Sequence, residues 1–210
     1  MKRGPTDADY EILDRETVYA GFFRMERYRL RHRLYAGEIS AAMSRELFER
    51  GHAAAVLLYD PVADAVVLQE QFRVGALDDP GGPWLWEIVA GMIESGEAPE
   101  EVVRREALEE AGATVGQLAF ICEYLSSPGG TSERISLYCG QVDSRELGGV
   151  HGLAEEHEDI RVEVVPYAQA WEMWLQGEIN SASAIIALQW LAMQRDALRL
   201  AWASQEPDKS

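Results

Sequence analysis

Gly91-Met-Ile-Glu-Ser-Gly-Glu97, followed after a seven-residue gap by Arg105-Glu106-Ala107-Leu108-Glu109-Glu110-Ala111-Gly112-Ala113, is the stretch on which the fold turns. Pro99 suits a first helical position, Glu100 and Glu101 complement a positive helix start, and Gly112 supplies a left-handed stop. The spacing therefore predicts a helix over Pro99 to Ala111. Glu106, Glu109 and Glu110 then stand at i, i+3 and i+4, so their carboxylates leave one face close together. Three like charges in that position repel each other. Hard oxygen ligands converging in this way are what a magnesium or manganese ion binds. A solvated acidic helix would account for the glutamates in a chain with 36 acidic residues. It would explain neither the glycines nor the arginine in register.

The 210 residues are enough for one generous domain, or one domain with a small appendage, and a hydrophobic share of 47% supports a real core. A formal charge of −17 argues against nucleic acid or an anionic membrane as a general partner, so anionic ligands need local basic pockets. No apolar run reaches the length of a membrane span, and the first ten residues lack the apolar core of a signal peptide. The cytoplasm is the expected location. Cys122 and Cys139 are too few for a disulfide framework and read as buried free thiols.

Residues 1 to about 10 and the tail 204–210 read as frayed polar ends. From Glu16 to Ile39 the chain alternates, with Arg27, Arg29, Arg31 and Arg33 interleaved by Tyr28, Leu30, His32 and Leu34, the periodicity of a small antiparallel sheet with a basic face. A short helical segment is expected at Ser44–Arg50, and a boundary near Arg50 would separate an N-terminal sheet, 1–50, from a domain over 51–203. Within that domain a hairpin is predicted from Ala53–Tyr59 and Ala65–Gln71 around Asp60-Pro-Val-Ala-Asp64. A strand at Trp84–Ala90 leads into the glutamate-bearing segment. Further strands are predicted at Leu118–Leu125, Arg134–Val142 and Asp159–Val165, and helices at Tyr167–Gln176 and Ser181–Trp202. The last helix carries Ile185, Ile186, Leu188, Leu191, Leu198 and Trp202 as a core stripe. Strands flanked by helices on a mixed sheet give an α/β fold, an α/β/α sandwich.

The pattern G-x5-E-x7-R-E-U-x-E-E-x-G-U, with U apolar, resembles the signature of the Nudix hydrolases, which cleave nucleoside diphosphates linked to another moiety. All seven fixed identities are present, and the U positions hold only Ala107 and Ala113, which bears on packing against the sheet. The resemblance extends to Tyr19-Ala-Gly-Phe-Phe23, Arg50-Gly-His-Ala-Ala54, Glu70-Gln-Phe-Arg73, Ser127-Pro-Gly-Gly-Thr-Ser-Glu-Arg134, Glu156-His-Glu-Asp-Ile-Arg161 and Ala184-Ile-Ile-Ala-Leu-Gln-Trp190. Together these look like the bacterial ADP-ribose pyrophosphatases over nearly all of residues 15 to 203. Pro128, sixteen residues after Gly112, separates this subfamily from most other Nudix groups.

The resemblance implies Mg2+, or Mn2+, held by Glu106, Glu110, Glu158 and the main-chain carbonyl of Ala90, which is left available where the strand ends. Glu109 would join them directly or through water. It implies Glu156 as catalytic base, Arg105 as a residue that orients carboxylates, and Glu97 as a tie between loop and helix. Gly148-Gly-Val-His-Gly152 reads as a flexible hinge before the base. For substrate, the resemblance implies Phe22 and Arg45 sandwiching adenine, with Phe23 and Glu46 beside them, and Arg73 on the diphosphate. Met92, Ser127, Pro128, Gly129 and Glu133 would line the ribose and diphosphate. Core packing for the phenylalanines, and a plain acidic loop for Glu155, Glu156 and Glu158, are the alternatives from residues alone. The implied protein is a homodimer with exchanged N-terminal sheets that hydrolyses ADP-ribose to AMP and ribose 5-phosphate. Related readings are a pyrophosphatase for GDP-mannose and a non-catalytic nucleotide-sugar binding module.

Overall fold

The computed structural model describes residues 9–153 and 158–202. Its contacts divide the chain into two units, Met1–His52 with Leu125–Arg134, and Ala53–Tyr124 with Ile135–Ser210. The segment Leu125–Arg134 thus groups with the N-terminal sheet.

The first unit is a three-stranded antiparallel sheet of β1 (Tyr10–Ala20), β2 (Arg24–His32) and β3 (Met43–Glu49), in that order. Several of its arginines face acids on neighbouring strands. Arg27 donates to Glu16 at 3.0 Å and to Glu46 at 3.2 Å, and Arg31 donates to Glu11 at 2.7 Å. Those two arginines therefore belong to a paired, solvated face. The structure corrects two expectations here. Ser44–Arg50 is not helical: Met43, Leu47 and Phe48 carry apolar spacing that a helix could use, but pairing with β2, the Arg27–Glu46 contact and the Phe23–Phe48 ring contact at 5.1 Å favour a strand. Regular pairing also begins at Tyr10, well before Glu16, and every residue of β1 is exposed.

The second unit contains β4 (Ala53–Asp60), β5 (Ala65–Phe72), β6 (Trp84–Glu87), β7 (Val89–Met92), α1 (Pro99–Ala111), β8 (Leu118–Leu125), β9 (Arg134–Gln141), β10 (Gly149–His151), β11 (Ile160–Pro166), α2 (Tyr167–Leu175) and α3 (Ala182–Trp202). The sheet runs β10-β11-β5-β4-β9-β8. β4 is parallel to β9 and antiparallel to β5, so the sheet is mixed. Alternate residues of β4 serve two cores. Ala54, Val56 and Leu58 pack with Val102, Val103 and Ala107 of α1, while Ala55, Leu57 and Tyr59 pack with Ala170, Leu188 and Leu191 of α2 and α3. Helices on both faces make an α/β/α sandwich. Ala107 and Ala113 are wholly buried, the small side chains letting α1 lie close on the sheet. Cys139 is buried, and Cys122 only partly so.

One departure from regularity positions everything that follows. β4 and β5 pair only through Leu58–Asp60 and Ala65–Val67. Beyond that point they part, β7 pairing with β4 and β6 with β5. The single strand expected over Trp84–Ala90 is accordingly two strands broken at Ile88, which is buried. Gly149–His151, expected as a flexible hinge, is instead paired with β11. Among the described residues no helix is long and apolar enough to cross a membrane.

Candidate active site

α1 begins and ends as its sequence dictates. Pro99 opens it, the Glu101 carboxylate accepts the Ala98 N–H at 3.1 Å, and Gly112 closes it at φ +62°. Gly91 is required for a different reason. A Cβ there would lie 1.9 Å from Glu106 Oε1, so only glycine lets that carboxylate rest on β7.

Glu110 enters the opening between β5 and β7. Its Oε2 accepts from Gln69 Nε2 at 3.1 Å and from the Ala90 N–H at 3.3 Å, and the residue is only 4% exposed. Burial, reinforced by the charges of Glu106 and Glu158, pushes its carboxyl up to about 8 despite these hydrogen bonds. Glu106 is raised as well, by burial first and by Glu109 and Glu158, with Arg105 opposing. Arg105 donates to Glu106 at 2.8 Å, to Glu109 at 3.1 Å and to Glu97 at 3.4 Å. Burial alone would lower the Arg105 pKa, but the three acids raise it. Glu97 also accepts the Glu94 N–H at 3.0 Å, tying the loop to the helix.

Ala90 lies inside β7, which runs on to Met92, so its carbonyl is not freed by a strand end. The freedom has another origin. A residue's N–H and C=O leave a strand on the same side, and the Ala90 N–H turns to Glu110 away from β4. Glu158 N–H donates to the Leu153 carbonyl at 3.2 Å, and Glu158 Oε2 accepts the Leu153 N–H at 3.2 Å. Glu156 lies outside the described residues.

Among the described residues no three His, Cys, Asp or Glu side chains already sit close enough to hold one ion. Glu106 and Glu109 lean on Arg105, and Glu110 on Gln69 and Ala90. The donor set nonetheless fits a hard divalent cation. It offers only oxygens, and the mutual repulsion and burial that raise Glu106 and Glu110 are what a cation would relieve. Sequence reasoning missed Gln69. Its one signal is a polar residue inside the apolar run Ala65-Val-Val-Leu-Gln69.

The remaining site residues fall in two places. Arg73 pairs with Glu87 at 2.7 Å beside β6, and Met92 is exposed at the end of β7. In the first unit, Ser127, Pro128 and Gly129 are exposed in a tight loop where the Ser127 carbonyl accepts the N–H groups of Gly130 and Thr131, both at 2.9 Å. Glu133 is 7% exposed, with its Oε1 3.1 Å from Arg50 Nε in a charge contact. Phe22 is 88% exposed in the β1–β2 turn, its ring 4.7 Å from that of Phe23. Glu46 is the partner of Arg27. Arg45 stands opposite Tyr28, which lies about 13 Å along β2 from Arg24, the first strand residue after the turn that carries Phe22, at ~3.3 Å per residue. The register thus sets Phe22 and Arg45 well apart along the sheet.

The chain matches the NUDIX domain model over residues 49–187. It is 53% identical over 195 residues, 93% of each chain, to the ADP-ribose pyrophosphatase of Escherichia coli strain K12. The ADP-ribose pyrophosphatase of Haemophilus influenzae is 47% identical over 197 residues, 92% of this chain and 91% of the relative. The GDP-mannose pyrophosphatase of Enterobacter sp. is 38% identical over 149 residues, 70% of this chain and 76% of the relative. A crystal structure of an ADP compounds hydrolase superposes with a TM-score of 0.70 over 95% of this chain and 99% of its own, at 22% identity, a likeness of fold.

Proposed function

The chain belongs to the Nudix family, and from that premise we propose that it is a magnesium-dependent ADP-ribose diphosphatase that hydrolyses ADP-ribose to AMP and ribose 5-phosphate. The observation that carries the chemistry is the buried Glu110, held by Gln69 and Ala90 within reach of the charges of Glu106 and Glu158. Substrate choice is supported by the ADP-ribose pyrophosphatases, whose identities of 53% and 47% exceed the 38% of the GDP-mannose relative.

Glu106, Glu110, Glu158 and the Ala90 carbonyl would hold magnesium, or manganese, with Glu109 beside them. The cation bound there would neutralise charge growing on the diphosphate in the transition state. Glu156 acts as general base, taking a proton from the attacking water as the water oxygen bonds to phosphorus and the bridging P–O bond breaks. Arg105 keeps Glu106 and Glu109 oriented, and Arg73 exchanges Glu87 for the diphosphate. Met92, Ser127, Pro128, Gly129 and Glu133 contact the ribose and diphosphate.

The N-terminal unit serves dimerisation and base binding. Exposed Tyr10, Ile12, Leu13, Val18 and Tyr19 on β1 give a second copy an apolar surface to cover. The separation of Phe22 from Arg45 favours a clamp that takes one side chain from each subunit, with Phe23 and Glu46 flanking it. Two free thiols suit a cytoplasmic setting. A purely binding module has no use for so costly an acidic cluster. GDP-mannose is the second substrate reading, favoured by the relative at 38% identity. Product analysis tests the assignment. ADP-ribose should yield AMP and ribose 5-phosphate only with magnesium, reversibly lost to chelator, and the same yield without divalent metal would overturn it.

A further inference from the structure

Gln69 follows Val67 on the face of β5 turned toward α1, and it is 1% exposed. A core position of that kind ordinarily holds an apolar side chain. Gln69 instead donates from Nε2 to Glu110 Oε2 at 3.1 Å, while its Oε1 has no partner among the described residues. The amide cannot be turned over to find one. With Glu110 ionised, as it must be to hold a cation, reversal would set Oε1 against its carboxylate and replace attraction with repulsion between two acceptors.

The two ends of this amide have separate consequences. Its donor shares Glu110 Oε2 with the Ala90 N–H, which occupies that oxygen and leaves Oε1 of Glu110 as the one to offer a cation. Its buried acceptor calls for a donor that the described residues do not supply. Magnesium commonly keeps several of its waters, and water polarised by a cation is a strong donor.

We propose that Gln69 is the positioning residue of the metal site, fixing the Glu110 carboxylate through Nε2 and accepting from a cation-bound water through Oε1. This rests on Glu110 being a metal ligand. Side chains behind metal ligands commonly change affinity by about 10–100-fold when removed, although they never touch the ion.

Manganese affinity, measured by the spin-resonance signal of free Mn2+ on the full chain without substrate, tests it in four proteins: the parent, Gln69→Met, Glu110→Gln and the double variant. Gln69→Met preserves length and should weaken Mn2+ binding by about 10–100-fold. The double variant should lose less than the sum of the two single losses, because the part of Gln69's effect that fixes Glu110 is already gone in Glu110→Gln. Should Gln69→Met fail to fold, Gln69→Asn keeps the amide but withdraws it by one methylene and should show the same loss. Parent-like affinity in the Gln69 variants, or losses that add in full in the double variant, would overturn the role. Undiminished affinity in Glu110→Gln would overturn the ligand assignment itself, and this proposal with it.

Discussion

Replacing Glu110 with glutamine should stabilise the metal-free chain while removing its metal response. Glu110 is 4% exposed, and its carboxyl is pushed from an ordinary 4.5 to about 8, chiefly by burial. At ~1.4 kcal/mol per tenfold change, the charged form is disfavoured in the folded chain by several kcal/mol, on the order of 5. The folded chain holds a proton that the unfolded chain has released between pH 4.5 and about 8. Stability from this group is therefore intact below about pH 4.5, falls as pH rises, and is lost above about 8. Glutamine has the same shape and no charge, and its carbonyl can accept both hydrogen bonds.

In chelator, Glu110→Gln should match the parent near pH 4.5 and melt higher by roughly 10–20 °C at pH 8.5, given about 2–4 °C per kcal/mol in a domain of this size. Titrations of groups not coupled to Glu110 cancel in the difference. Magnesium at about a hundred times its dissociation constant should then stabilise the parent by ~2.7 kcal/mol and the variant by much less. A variant that melts lower at pH 8.5, or follows the parent at every pH, would refute the argument that a buried charge is held there for function.

Glu156→Gln should lower kcat by about a hundredfold to ten-thousandfold with little change in KM, as steady-state kinetics would show; a mainly KM effect would exclude it as the base. Gly91→Ala must displace Glu106, since its Cβ would sit 1.9 Å from Glu106 Oε1, so magnesium titration should show weakened activation with the fold retained by circular dichroism. Unchanged activation would mean that Glu106 need not lie there. Sedimentation should give a dimer, and mixing Arg45→Ala with Glu110→Gln subunits should restore activity above that of either alone. No restoration would place Arg45 in the active site of its own chain.

How much was legible depended on whether the deciding forces were local. Pro99 and Gly112 set the limits of α1 through backbone geometry, so its ends could be read directly. β3 depended on pairing with β2, and its apolar spacing alone also suited a helix. The break at Ile88 reflects two strands parting to admit Glu110, a contact spanning many residues. The glutamates were recognisable from spacing, but Gln69 was not, because one amide in an apolar strand acquires meaning only from what lies opposite. Phe22 and Arg45 were each readable as candidates. Their separation along the sheet appears only once β2 and β3 have a register.

The central claim is tested most directly by kcat/KM for ADP-ribose against GDP-mannose at saturating magnesium, with products separated. A site built to hydrogen-bond a terminal ribose leaves polar groups unpaired when a hexose misplaces its hydroxyls, at ~1–3 kcal/mol per group. ADP-ribose should therefore be preferred by roughly tenfold to a hundredfold, giving AMP and ribose 5-phosphate. A higher kcat/KM for GDP-mannose would contradict the account.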